Sequence, residues 1–443
     1  MRSIAESKGV VSSYRKSLDF IYNLRGAETR GAEFDLRLER VARALSLFGN
    51  PQDSFRACHV AGTNGKGSTA AIIHSVLSAQ RYRVGLYTSP HLADFSERIR
   101  VGKRPISRAA VAALVREVAE RTARASLSLT FFEFSTVMAF LHFARKGVRI
   151  AVVEVGLGGR LDATNLVRPS VCAVTTIARD HERFLGKGIA SIAREKGGII
   201  KPGVPVVCGA LPAAADRVIR GIARSREAPV RRWGRDYSVV PRDDGRFDYH
   251  GREWSLDGLR LSLPGGYQQH NAGVALASLE TLQAALPVRE RAIRSGLESA
   301  AWPGRLEVLP GRPGIILDGA HNPGAAEALA GAVPGLVGGR KVRLLFGSMH
   351  DKDWSSMLAV LCGLAGEVVL TRTPTGRGAD PGSLCSALPR GLPATVVDDP
   401  VAALDRLAAD RRRRDVPILV AGSLYLVGAV RARALELFAR FRH

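Results

Sequence analysis

The chain has 443 residues, enough for two or three domains, and its 46 % apolar and 24 % charged content is that of an ordinary globular protein. No apolar run reaches the roughly 18 residues of a membrane helix, and the start, MRSIAESKGVVSSYRKSLDF, lacks the apolar core of a signal peptide, so a cytoplasmic protein is expected. The net charge of +23, mostly arginine, admits a nucleic-acid partner, but the basic residues are spread along the chain and an aromatic content of 6 % argues against a stacking platform.

In chain order, residues 14–48 have helical spacing, with Leu38, Val41, Ala42, Leu45 and Phe48 on one face, and Gly49-Asn50-Pro51 stops the run. Phe55–Val60 is short and apolar, as a buried strand is. It feeds His59-Val60-Ala61-Gly62-Thr63-Asn64-Gly65-Lys66-Gly67-Ser68-Thr69, and Ser68–Gln80 is again helical. Tyr82–Thr88 reads as a strand delivering Ser89-Pro90-His91-Leu92 to a loop. Ser107 opens a helix, and Thr130–Lys146 is a long apolar one ended by Gly147. Ile150–Val155 is an unbroken buried strand that contains Glu154, followed by the loop Gly156–Asp162. Val171–Ile177 is a strand ahead of Asp180-His181, Ile189–Ile200 a helix, and Pro205–Gly209 a strand. This alternation predicts a parallel sheet covered on both faces.

Between about 231 and 264, pieces such as Phe247–Tyr249 and Leu259–Leu263 predict a small β excursion at the edge of the first domain. Helices His270–Ala285 and Val288–Ala300 follow. Trp302-Pro303-Gly304 is a breaker cluster and marks the domain boundary. Beyond it, strands are predicted at Gly314–Leu317, Val342–Phe346, Val368–Thr371, Thr395–Val397 and Ile418–Val420, with helices between. The run Arg411–Arg414 sits at a helix end, where cations complement the dipole. The five cysteines, at 58, 172, 208, 362 and 385, fit neither a disulfide framework nor a CxxC site, and Cys172 and Cys208 read as small core residues.

The strand–loop–helix at 55–80 reads as a phosphate-binding loop. Gly62, Gly65 and Gly67 let the backbone approach a phosphate, and the helix start offers free N–H groups. Lys66 can reach terminal phosphates and the Ser68 hydroxyl can ligate Mg²⁺. The spacing departs from G-x-x-x-x-G-K-[ST], because Gly62 and Gly65 frame only two residues and Gly67 separates Lys66 from Ser68. A plain glycine turn joining strand to helix is the alternative. In α/β sheets ligands sit at the carboxyl ends of strands. Glu154 and His181 at two such ends are natural partners of a divalent cation near phosphate. Their bland readings are an ion pair for Glu154 and a hydrogen-bonded loop histidine for His181. Lys196, alone, reads as a surface lysine. Asp318-Gly319-Ala320-His321-Asn322-Pro323 follows a strand and opens a helix, and Asn322 reads equally as its N-cap.

Several long motifs in one order make the chain resemble the folylpolyglutamate synthase and dihydrofolate synthase branch of the Mur ligase superfamily. They are HVAGTNGKGST at 59–69, SPHLADFSERIR at 89–100, EVGLGGRLDATN at 154–165, DHERFLGKGIASIAREKGGIIKPGVPVV at 180–207, WPGRLEVL at 302–309, LDGAHNPGA at 317–325, FGSMHDKD at 346–353 and AGSLYLVG at 421–428. The resemblance implies an α/β protein in two parts. Residues 1–301 would form a P-loop domain of the Mur ligase type, with a parallel sheet and the small β excursion. Residues 302–443 would form a Rossmann-like domain closing on ATP and glutamate.

The implied reaction joins L-glutamate to the carboxylate of dihydropteroate or a folyl-glutamate, with ATP split to ADP and phosphate. By resemblance, Gly62, Thr63, Asn64, Gly65, Lys66, Gly67, Ser68 and Thr69 hold ATP, with Asn271, Arg305, Asp318 and His321. Ser68 and Glu154 would hold a first Mg²⁺ and His181 a second. Lys196 matches a lysine carbamoylated in the superfamily. Lys66, Lys196 and His181 would carry the catalysis, and Ser89, Pro90, His91 and Arg98 would line the folate side. Small departures are Ala178 in place of a glycine, Gly197-Gly198 after Lys196, and Tyr267 where a histidine often stands. A monomer acting on small molecules, without nucleic acid or membrane, is expected. The alternatives are a muramyl ligase, disfavoured because no nucleotide-binding domain precedes residue 62, and a basic P-loop NTPase acting on nucleic acid.

Overall fold

The computed structural model describes residues 13–26 and 37–440. The chain divides into two compact units, Met1–Ser262 with Gln268–Ala301, and Leu263–Tyr267 with Trp302–His443.

The first unit is built on eight strands: β1 (Arg56–Ala61), β2 (Val84–Tyr87), β3 (Ile99–Val101), β4 (Arg104–Pro105), β5 (Ile150–Glu154), β6 (Pro169–Val174), β7 (Val206–Cys208) and β8 (Val230–Arg232). Their order is β4-β3-β2-β5-β1-β6-β7-β8. From β2 to β8 the strands run parallel, and β3 and β4 add an antiparallel edge. The register sets Val60 beside both Glu154 of β5 and Ala173 of β6. That alignment brings the loop after β1, the Glu154 carboxylate and the segment after β6 to one edge of the sheet.

Both faces are covered, as an apolar parallel sheet requires. One face packs Tyr87, Ala151 and Val153 against Phe134, Met138 and Val115 of the helices Phe131–Arg145 and Arg108–Arg124. Since His59 pairs with both Val153 and Cys172, the same face continues with Cys172, Val174 and Val206 against Ile192 and Ile219 of the helices Ile189–Gly197 and Ala213–Ser225, while the opposite face, with Val60 and Val152, is covered by the helix Lys66–Ala79. The helix Phe131–Arg145 starts in a capping box, with Thr130 and Glu133 satisfying each other's backbone N–H. Cys172 and Cys208 are buried, as are Cys58 and Cys362.

Three segments of the first unit differ from the sequence reading. The run at 14–48 is two helices, Tyr14–Tyr22 and Leu38–Ser46; Gly26, at φ 71, turns the chain after the first, and 27–36 lie outside the described residues. The hairpin β3–β4 was not anticipated, because its strands are two and three residues long and arginine-rich, with Gly102 at φ 57 making the turn. The β excursion is a three-stranded antiparallel sheet of β9 (Ser238–Pro241), β10 (Phe247–His250) and β11 (Ser255–Leu259). Its last strand precedes the predicted 259–263. A register shift opposite Phe247–Tyr249 and Gly258 at φ 61 break the expected alternation.

Glu280 ties this small sheet to the helix Gly266–Leu282. It is buried and accepts from Tyr249 Oη at 3.0 Å and from the N–H groups of Glu253 and Trp254 at 2.7 Å each. Removing it strands three donors, so Glu280→Ala is expected to cost roughly 3 kcal/mol of unfolding free energy in a urea titration. A change below about 0.5 kcal/mol, the range of surface substitutions, would contradict that role.

The second unit holds β12 (Glu307–Leu309), β13 (Ile315–Leu317), β14 (Val342–Phe346), β15 (Ala365–Leu370), β16 (Ala394–Val396) and β17 (Ile418–Ala421), in the order β12-β13-β17-β14-β15-β16. All are parallel except β12, an antiparallel edge strand that the sequence reading missed. Leu344, Phe346, Val368 and Leu419 pack with Leu329 and Val333 of the helix Pro323–Val337 and with Leu358 of the helix Trp354–Leu361.

Candidate active site

The loop after β1 makes a tight strand-to-helix turn and then the helix Lys66–Ala79 begins. Gly62 has φ 154, and a Cβ there would run into Thr175 Oγ1. Gly65, the residue before the helix, has φ 82, and a Cβ would strike Asn271 Oδ1. Glycine is required at both positions for shape and for conformation. The segment after β6 clamps the loop from beside it. Thr63 N donates to Thr176 O at 2.7 Å, Asn64 N to Thr176 Oγ1 at 3.0 Å, and Thr175 Oγ1 to Asn64 O at 2.6 Å. The loop is therefore rigid before any ligand arrives.

Two ammonium groups converge on one carbonyl of this loop. Lys66 Nζ donates to Gly62 O at 3.0 Å and to Thr63 O at 3.1 Å. Lys196 Nζ, reached from the helix Ile189–Gly197, donates to the same Gly62 O at 2.8 Å. Lys196 is only 5 % exposed, so the sequence's bland reading of a surface lysine does not hold. Burial pushes its pKa down to about 7, the Lys66 charge adds to that, and Asp180 and Asp162 oppose it. When Lys196 is protonated, its buried ammonium and the half-buried one of Lys66 repel each other across one carbonyl, and an anion placed between them relieves that repulsion.

The helix carrying Lys196 is locked to the loop after β5. Arg160 N donates to Glu195 O at 2.8 Å, and Asn165 Nδ2 to Arg160 O at 2.9 Å and to Gly198 O at 3.3 Å. Asp162 is buried, accepts from Leu157 N at 2.8 Å, and takes a short hydrogen bond from the Thr164 hydroxyl.

Glu154 is 4 % exposed at the end of β5, and its Oε2 accepts from Ser89 N at 3.1 Å. Ser68 is buried in the first turn after the loop. His181 has a left-handed backbone at φ 51; its Nε2 lies 3.7 Å from Asp180 Oδ1. Among the described residues no three histidine, cysteine, aspartate or glutamate side chains form a ready metal cage. Mg²⁺ does not need one, since it keeps several waters and binds through one or two carboxylates and substrate phosphates. One buried carboxylate and one hydroxyl beside a phosphate loop fit that demand. A second cation at His181 fits only if Lys196 becomes an anion, because an ammonium cannot ligate a metal.

On the loop after β2, His91 is held by Arg98 Nε, which donates to its Nδ1 at 2.7 Å. Arg98 is wholly buried, so in this arrangement it supports the loop rather than offering a surface to a ligand. Asn271 Nδ2 donates to Gln268 Oε1 at 2.9 Å. In the second unit, Asp318 follows β13 and accepts from Leu306 N at 2.7 Å, Ala320 N at 2.8 Å and Tyr267 Oη at 3.4 Å. Burial raises its pKa, and the Arg305 charge opposes the rise. Arg305 Nη1 and His321 Nδ1 both meet Gly319 O, at 3.0 and 2.9 Å. Asn322 does cap the helix Pro323–Val337, accepting from Ala325 N at 2.9 Å.

Known proteins with this arrangement can be named. Residues 60–279 match the family model of the Mur ligase middle domain, and residues 304–424 that of the Mur ligase glutamate ligase domain. The folylpolyglutamate synthase of Lacticaseibacillus casei is 37 % identical over 407 residues, 89 % of this chain and 94 % of that one. This chain belongs to the Mur ligase family. It is an ATP-dependent ligase of the folylpolyglutamate and dihydrofolate synthase type. Escherichia coli FolC, solved in complex with DHPP and ADP, superposes with a TM-score of 0.85 at 33 % identity, covering 98 % of the ligase and 99 % of FolC. The bifunctional folylpolyglutamate synthase/dihydrofolate synthase of Yersinia pestis, solved with AMPPNP and a Mn ion, gives a TM-score of 0.85 at 34 % identity, with 96 % and 99 % covered. These likenesses support the folate branch over a muramyl ligase or a nucleic-acid NTPase.

The structure also shows residues of the ligase that the sequence reading passed over. Thr175 and Thr176 hold the phosphate loop, and Tyr22 reaches His91 with its hydroxyl at 3.2 Å. His59, fully buried, meets Thr164 Oγ1 at 2.9 Å and so extends the Asp162 network under the loop. Apart from His59, which opens the motif at 59–69, none of these lies in a motif; threonines in a strand-end segment look like ordinary loop residues until the partner loop is seen.

Proposed function

We propose that the ligase forms a peptide-type bond between L-glutamate and the carboxylate of dihydropteroate or of a folyl-glutamate, through an acyl phosphate. The observation that carries this reading is the convergence of Lys66 and Lys196 on Gly62 O, in the loop after β1, with the buried Glu154 paired to Val60 in the neighbouring strand β5. Lys66 and the N–H groups at the start of the helix Lys66–Ala79 hold the ATP phosphates and neutralise charge as the terminal phosphoryl group moves to the acceptor carboxylate. Ser68 and Glu154 would hold a Mg²⁺, with His181 and a carbamoylated Lys196 for a second; such an ion polarises phosphoryl oxygens. Thr63, Asn64, Gly67, Thr69 and Asn271 shape the nucleotide side. The resemblance gives Arg305, Asp318 and His321 a nucleotide role as well.

The glutamate amine then attacks the acyl phosphate as a neutral nucleophile, and phosphate leaves. Ser89, Pro90 and His91 line the acceptor side. The ligase is read as a cytoplasmic monomer working on small molecules; no helix among the described residues is long and apolar enough to cross a membrane. An acceptor carrying heavy-oxygen-labelled carboxylate tests the route. The account expects one labelled oxygen in the released phosphate for each product formed. Phosphate free of label would rule out the acyl phosphate.

A further inference from the structure

Tyr22 ends the helix Tyr14–Tyr22 and lies outside every motif that marks the family. Its ring stacks on Phe131, with centroids 5.7 Å apart and planes at 20°, and its hydroxyl oxygen is 3.2 Å from His91 Nε2. On the far side of the imidazole, Arg98 Nε donates to Nδ1 at 2.7 Å, and the guanidinium lies 5.0 Å from the Phe131 ring centroid. Arginine is only ever a donor, so Nδ1 must accept. A neutral imidazole then carries its proton on Nε2, and the Tyr22 oxygen accepts it. Burial first, then the Arg98 charge, pushes the His91 pKa down to about 3, so the ring is neutral at ordinary pH. Both ring nitrogens are committed to the protein.

The same loop is gripped elsewhere. Tyr14 Oη donates to Asp94 Oδ1 at 2.5 Å, so both ends of one helix hold it. The Glu97 carboxylate accepts from the N–H groups of Leu92, Ala93 and Asp94 at 2.8, 3.1 and 2.9 Å. At its start, Ser89 N–H rests on Glu154. A loop with this many fixed points is preorganised, and its fixing residues act on binding through geometry.

We propose that Tyr22 and Arg98 are positioning residues for the acceptor substrate: they lock His91 in one orientation and one tautomer, and thereby hold the Ser89–Asp94 loop in its binding shape. The proposal rests on the folate-side reading of that loop. Tyr22→Phe deletes one hydrogen bond, and Arg98→Lys keeps the charge while losing the planar fork and its stacking. Each is expected to raise the KM for tetrahydrofolate or dihydropteroate about fivefold, the scale of one hydrogen bond. The KM for glutamate should stay unchanged, and the melting temperature should fall by no more than a few degrees. Unchanged acceptor KM in both variants, or a uniform rise in every KM with a lower melting temperature, would overturn the proposal.

Nitrogen NMR reads the relay without turnover, with His91 assigned by its loss in His91→Gln. The wild type should show the Nε2–H form persisting at mildly acidic pH. A normally titrating His91, or an Nδ1–H form, would overturn the relay itself. The expected spectrum in a protein that turns over no folate acceptor would instead overturn the reading of the substrate.

Discussion

Lys66→Ala is expected to lower glutamate-dependent ADP release by at least about a thousandfold, the upper scale for losing one preorganised charge-stabilising donor. The structure explains why no neighbour substitutes. The Lys66 ammonium spans Gly62 O and Thr63 O, on a loop that Thr175 and Thr176 hold rigid. Lys196 is the other cation on Gly62 O, but it approaches from a different helix and is buried. The protein should remain folded, because the Lys66 bonds to the loop are only two of several. Circular dichroism should be unchanged while the rate collapses. A variant within tenfold of the wild type would remove the phosphate-loop assignment.

The second large effect concerns Lys196→Ala, which is expected to lose most activity, with partial recovery on adding short carboxylic acids. Carbon dioxide adds to a neutral amine, not to an ammonium. A lysine with its ordinary pKa of 10.5 is protonated at neutral pH, whereas one lowered to about 7 is largely neutral just above that point. The sign follows: wild-type activity should fall as pH drops through about 7 and the amine protonates, and added bicarbonate should raise it above. The alanine variant supplemented with acetate should lack that dependence on bicarbonate. Full activity of Lys196→Ala without additive would take the carbamate out of the mechanism.

Much of this was legible in the sequence, and the gaps have physical causes. The buried parallel strands announce themselves as apolar runs, and the phosphate loop as glycines between a strand and a helix. Glu154 was noticeable because a carboxylate closing an apolar strand demands an answer; here the answer includes the N–H of Ser89, 65 residues away in sequence. Lys196 was illegible from local pattern alone. Its neighbours Arg194 and Glu195 look like a solvated helix face, and only the docking of that helix on the Gly156–Asn165 loop buries it. The same holds for Tyr22, whose role depends on a contact with a loop 69 residues later. Short charged strands such as β3, β4 and β12 escaped because their pairing, not their composition, makes them strands.

The most direct test of the central claim is ADP release by the purified protein with ATP, Mg²⁺ and glutamate, adding dihydropteroate in one set and tetrahydrofolate in another. The account predicts release that needs glutamate and at least one of the two acceptors. Release with both would show a bifunctional enzyme, and release with tetrahydrofolate alone a polyglutamating one. Release independent of glutamate, or none with either acceptor, would contradict it.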